Sequence, residues 1–176
     1  GDVEDSSRNG YHATLHGRQE AIFSEDEQFG QVLSLSGGDN GAYVQIPGQA
    51  LVGAEHLSIT GWLNVKDLTP WQRFFDVGQG TNRYFYCTPV GEERSTGCRA
   101  RITSAGYGQE TGPVSFRVEP GKWVHLAVVL NSVKETLSLY VNGLRVGQST
   151  DVNPSLTAII DQENPGANKI YIGKFN

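Results

Sequence analysis

A chain of 176 residues, 38% hydrophobic and 19% charged, is long enough to bury a sizeable core within one domain, and no run is apolar for long enough to span a bilayer as a helix. A net charge of −5, with arginines not gathered into a basic stripe, argues against a phosphate-backbone ligand, so neither nucleic acid nor membrane insertion is expected. The two cysteines are too few for a disulfide scaffold and too far apart for a redox CxxC or paired zinc-ligand spacing. The sequence opens at Gly1-Asp2 and contains no methionine, which suggests a mature or excised piece of a secreted protein whose signal peptide is gone.

Residues 1–30 show little periodicity and read as loop, with "DSSRNG" at its start and "SEDEQF" near its end. Consecutive Glu25, Asp26 and Glu27 fit a solvated turn and do not align two carboxylates across the roughly 5 to 9 Å gap of a glycosidase. Short alternating stretches then follow, each closed by Gly, Pro, Asn or Asp. They predict strands over 31–35, 42–46, 57–65, 73–77, 83–88, 98–103, 114–118, 122–130, 136–141, 144–148 and 169–173. In "LSLYVNGLRVG", Asn142-Gly143 supplies the two positive-φ residues of a tight hairpin; Val141 should then face Leu144, Tyr140 Arg145, and Leu139 Val146. "KWVHLAVVL" is apolar on both faces and reads as a central strand, with Trp62 and Trp123 in the core and His125 packed and hydrogen-bonded. Residues 149–168 read as loop. The fold class is all-β: two antiparallel sheets packed face to face as a β-sandwich.

Several stretches occur in one order: "DSSRNGYHATLHG", "GQVLSLSGGDNGAYVQIP", "LSITGWLNV", "PWQRFFDVGQGTNRYFY", "GKWVHLAVVL", "TLSLYVNGLRVG" and "NKIYIGK". Together they resemble the laminin G-like domains of the concanavalin A-like lectin/glucanase superfamily, the type appended to secreted bacterial glycoside hydrolases. The resemblance covers nearly the whole chain. It implies a jelly-roll sandwich, a structural calcium ion at one edge, and glycan or protein binding without catalysis. Beyond "YIG" it implies a further glycine, an Ile-Asp pair and a closing strand; the expectation is a single domain over 1–176 that is truncated at its C-terminal strand, takes that strand from elsewhere, or closes the sheet differently.

The segment "RYFYCTPVGEERSTGCRARI" carries both cysteines, three rings and four arginines. If Cys87 lies opposite Cys98, alternation turns Phe85, Cys87, Cys98, Ala100 and Ile102 inward and Tyr84, Tyr86, Arg99 and Arg101 outward. Rings that stack on the C–H faces of sugars, beside guanidinium donors for hydroxyls, make that outward face the leading ligand site; the alternative is a set of cation–π pairs on a solvated sheet. Trp71, after Pro70 at a strand entrance, is the tryptophan expected at the surface. For the cysteines, a disulfide closing a loop of about a dozen residues would contribute on the order of 3 kcal/mol, and two free thiols are the alternative. For calcium, the resemblance points first to Asp39 and then to Asp5, each of which would equally serve an Asx turn. No catalytic residue is expected: nucleophile elbows, phosphate loops and a paired-carboxylate strand are absent, and Asp76 reads as a hydrogen-bond acceptor. The function expected is a non-catalytic carbohydrate-binding module beside a catalytic domain of the same protein, the alternative being a structural or protein-interaction module.

Overall fold

The computed structural model describes residues 2–17, 21–36, 40–93, 97–113 and 116–176. Its strands are β1 (Thr14–His16), β2 (Ala21–Asp26), β3 (Gly30–Leu35), β4 (Tyr43–Ile46), β5 (His56–Asn64), β6 (Phe75–Gln79), β7 (Arg83–Thr88), β8 (Arg99–Thr103), β9 (Trp123–Asn131), β10 (Thr136–Val141), β11 (Leu144–Ser149) and β12 (Lys169–Ile172). A single helical turn, α1 (Leu156–Ile159), precedes β12. One sheet runs β1-β4-β12-β6-β7-β8, the other β11-β10-β9-β5, and β2 with β3 forms a separate hairpin. All pairings are antiparallel. The two-sheet sandwich expected from the sequence is the architecture found.

Alternation builds the core. From the six-stranded sheet Phe75, Val77, Phe85, Cys87, Ala100, Ile102 and Ile170 turn inward, and from the four-stranded sheet Val124, Leu126, Val128, Leu130, Leu137, Leu139 and Val141 meet them. Leu156 and Ile159 of α1 enter the same core, so the 149–168 segment is more than a surface crossing. Apolar burial on this scale is the main favourable contribution to folding.

Five expectations need correction. The N-terminal thirty residues are not all loop. β1 is too short to show alternation and forms because β4 offers its edge, while β2 and β3 close at Asp26, whose Oδ1 accepts from the Gln28 and Phe29 amides. Phe116–Val118 is not a strand; Val118 is buried by a loop, and residues 114 and 115 lie outside the described set. In the β10–β11 hairpin Val141 faces Leu144 and Tyr140 faces Arg145 as expected, but a bulge then sets Leu139 opposite Gly147. Leu144 stands exposed at the hairpin tip. Trp62 is 49% exposed, because it lies on the outer side of β5, where Phe29 and His125 flank it. Trp123 is half-buried on that same outer side, its Nε1–H donating to Asp26 Oδ2 at 3.0 Å.

Two glycines separate conformational strain from collision. Gly143 has φ +80° with open space where a Cβ would point, so Gly143→Ala should cost about 1 kcal/mol from backbone strain alone. Gly78 has φ +150°, and a Cβ there would strike the Arg83 carbonyl oxygen and lie 2.7 Å from Tyr84 Cα. Gly78→Ala should therefore destabilise by more than about 3 kcal/mol, a difference that urea unfolding of the two variants measures directly.

Candidate functional site

The outer face of the six-stranded sheet is built by the pleat. Pairings place Thr14 beside Gln45, Gln45 beside Tyr171, Tyr171 beside Asp76, Asp76 beside Tyr86, and Tyr86 beside Arg101, a row of polar and phenolic side chains crossing the sheet. Near its β1 end, His16 stacks on Tyr43 at 4.5 Å and meets Gln45 Oε1 through Nε2 at 2.9 Å. Lys174 Nζ lies 4.8 Å from the Tyr43 ring centroid.

At the β6–β7 end this face sinks into a cavity of about 350 Å³. Its aromatic walls are Trp71, Tyr84, Tyr86, Tyr107 and Phe175; its polar groups are Arg73, Asp76, Thr81, Glu110 and Asn176. Cavities of this size, apolar-walled with a few convergent polar groups, are typical small-ligand sites. Arg73 is central. Its Nε donates to Asp76 Oδ2 at 2.8 Å, an Nη1–H donates to the Trp71 carbonyl, and its guanidinium carbon lies 4.1 Å from the Tyr86 ring and 5.0 Å from the Phe175 ring. Trp71 adopts φ +66°, held by its own N–H on the Val90 carbonyl and by the Arg73 contact to its carbonyl.

Asp76 is buried, and that burial raises its pKa to about 6 against the opposing hydrogen bond and charge of Arg73 and a backbone contact from Asn176. Tyr84 donates its hydroxyl proton to Glu110 Oε1 at 2.5 Å, and burial together with that carboxylate lifts the phenol well above its ordinary range. Glu110 Oε2 also accepts from the Gly108 amide, pinning the loop that carries Tyr107. Tyr107 projects from that loop 81% exposed.

The cavity gathers three of the residues predicted as ligand-binding, Tyr84, Tyr86 and Trp71. Both tyrosines lie on the face opposite the core, as alternation requires, yet they are only 9% and 4% exposed, because loops and the C-terminal segment close over a face expected to be open. Arg101 and Arg99 do not line the cavity. Arg101 donates to the Gly112 and Ala100 carbonyls, and Arg99 lies over Trp71 at 5.3 Å. Arg73 is the guanidinium that lines the cavity in their place. It, Tyr107, Glu110 and Phe175 went unrecognised: Tyr107 and Glu110 lie outside any strand, and Arg73 enters the cavity from the turn before β6. A signal for Asp76 did exist, since it occupies the same alternation parity relative to Phe75 and Val77 as Tyr86 does to Phe85 and Cys87.

The β7–β8 register also needs correction. Cys87 faces Ala100, Phe85 faces Ile102, Tyr86 faces Arg101 and Tyr84 faces Thr103, a displacement of two residues from the expected pairing. Cys98 precedes the strand, and its Sγ lies 3.7 Å from that of Cys87; both are fully buried free thiols rather than a bridge. Asp5 sits in an Asx turn, accepting from the Ser7 amide at 2.7 Å and the Tyr11 amide at 2.9 Å; the Ser7 hydroxyl first, and then these amide bonds, hold its pKa down to about 2. Asp39 lies outside the described residues, and among the described residues no group of three or more acidic, histidine or cysteine side chains is placed to hold a metal.

With this geometry in view, kinship is decided by one match: residues 37–174 fit the Laminin_G_3 family model, of the concanavalin A-like lectin/glucanases superfamily. The chain belongs to this family. Comparison with the curated proteins found no match. Among solved structures, this Laminin_G_3 domain is similar to domain 4 of AbnA, a GH43 extracellular arabinanase from Geobacillus stearothermophilus, in complex with arabinotriose. That likeness has 16% identity over 98% of this chain and 78% of the other, with TM-score 0.74. The binding domain of botulinum neurotoxin DC in complex with SialylT gives 14% identity, TM-score 0.66, and coverage of 96% of this chain but 40% of the other. The CBM40 of the Ruminococcus gnavus IT-sialidase, bound to α2,3 sialyllactose, gives 13% identity, TM-score 0.52, and coverage of 69% and 64%. At these identities the likeness is one of fold.

Asp76 makes a signed prediction about stability. Its pKa rises on folding from the ordinary 3.8 to about 6, so the native state binds a proton more tightly than the unfolded chain. Its contribution is most favourable below about pH 4 and is lost as pH rises through about 6, a change of roughly 3 kcal/mol at 1.36 kcal/mol per unit. Denaturant unfolding from pH 4 to 7 should show the wild type losing that much relative to Asp76→Asn, which cannot titrate there.

Proposed function

We propose that this domain is a non-catalytic carbohydrate-binding module of a secreted carbohydrate-active protein, working beside a catalytic domain of the same polypeptide. The observation that carries the reading is the cavity itself: aromatic walls for the C–H faces of a sugar ring, with carboxylate, amide and hydroxyl groups on its floor and rim for the hydroxyls. The relatives of similar fold support it, since one is a domain of an extracellular arabinanase solved with arabinotriose and another is a carbohydrate-binding module solved with sialyllactose.

The carboxylates in the cavity serve binding. Glu110 is held by the Tyr84 hydroxyl and the Gly108 amide, and Asp76 by Arg73, so neither stands ready as an unencumbered nucleophile or base. The isolated domain should release no reducing sugar from the polysaccharides that it retains.

Affinity electrophoresis in gels containing arabinan, xylan or glucan tests the site. Tyr107→Ala removes a ring that the fold does not bury, and Trp71→Ala a partly exposed one. Each should weaken retention at least tenfold with the melting temperature little changed, whereas full retention by both variants would refute the cavity as the site. Secretion carries a second expectation. In an oxidising compartment Cys87 and Cys98, already in contact, should close into a bridge, seen as an intact mass lower by two hydrogens for exported protein than for protein made under reducing conditions.

A second reading is favoured by Trp62, which stands 49% exposed on the opposite sheet with Phe29 and His125 against it. That surface would suit a neighbouring domain in a structural or protein-interaction role. It predicts no glycan retention and a loss of domain association on Trp62→Ala in the full-length protein.

A further inference from the structure

We propose that the cavity selects neutral sugars and turns away acidic ones such as sialic or uronic acids, an inference that rests on the carbohydrate-binding reading and names the substrate class of that same site. Two buried polar atoms there have no hydrogen-bond partner among the described residues: Asp76 Oδ1, an acceptor, and Asn176 Nδ2, a donor. A buried polar atom left unpaired is costly, and a ligand that satisfies it is favoured. A sugar hydroxyl both donates and accepts, so it can serve both atoms. An ionised carboxylate only accepts, and can give Asp76 Oδ1 nothing.

Charge points the same way. The cation that lines the cavity is already engaged. Arg73 is spent on Asp76 and the Trp71 carbonyl, its guanidinium lies close to the rings of Tyr86 and Phe175, and its side chain is 5% exposed. Arg101 is turned onto backbone carbonyls and does not line the cavity. The cavity instead presents the carboxylates of Asp76 and Glu110, so an anionic ligand would meet like charge in a site partly withdrawn from water.

Isothermal titration of the purified chain at pH 7.5 tests this, with arabinotriose, xylotriose, maltotriose and lactose as neutral probes and 3′-sialyllactose and trigalacturonate as acidic ones. The best neutral probe should bind at least tenfold more tightly than either acidic one. Asp76→Asn should weaken that neutral probe at least tenfold, and an undiminished affinity in a folded variant would overturn the proposal. Should Asp76→Asn fail to fold, Glu110→Gln carries the test: it should narrow the neutral-to-acidic ratio at least threefold, and an unchanged ratio overturns the selectivity. An acidic probe bound as tightly as the best neutral one overturns the selectivity while leaving glycan binding intact. Binding of none of the probes removes the carbohydrate-binding reading and this inference with it.

Discussion

The pleat of β7 is the constraint on which the rest depends. Successive residues of a strand must face opposite ways, and β7 sets Phe85 and Cys87 against the four-stranded sheet while Tyr84 and Tyr86 line the cavity on the other side. One strand thus serves both the core and the ligand face, and its central place between β6 and β8 denies it freedom to slip. A slip of one residue would put phenol groups into a core that offers them no partners and bare rings onto a polar floor.

Beside that strand the buried Arg73–Asp76 pair organises the chemistry. An ion pair withdrawn from water gains little net stability, and here one carboxylate oxygen is still unmatched, so the pair reads as a positioning device. It holds a planar cation against the face of Tyr86, fixes the carbonyl of Trp71, and keeps a buried acceptor beside the cavity. Glu110 plays a matching part on the rim, joining the Tyr84 hydroxyl to the loop that presents Tyr107.

Much of the fold was legible because burial imposes period two. The strands of the two main sheets other than β1 show it, and Asn142-Gly143 marks its hairpin by the positive φ angles that few other residues accept. What escaped was whatever tertiary contact decides. β1 exists because β4 has a free edge, and Trp62 is exposed because its strand turns that side outward, though its composition resembles a core strand. Of the site, alternation revealed Tyr84 and Tyr86, and the Pro70-Trp71 step revealed a rim residue. Arg73, Tyr107, Glu110 and Phe175 arrive from turns, loops and the C-terminal segment, where no periodicity records what they will meet. The same ignorance of loops explains why the tyrosine face looked open in the sequence and is roofed in the structure.

The two-residue displacement between β7 and β8 has a bearing on how this scaffold can diverge. Because the offset is even, it left every side chain on its expected side, and Tyr84 and Tyr86 still line the cavity. Insertions or deletions of paired residues within these strands should be evolutionarily quiet in the same way, sliding neighbours along without exchanging interior for exterior. Odd-numbered ones would invert the whole ribbon, exchanging phenol groups for core side chains.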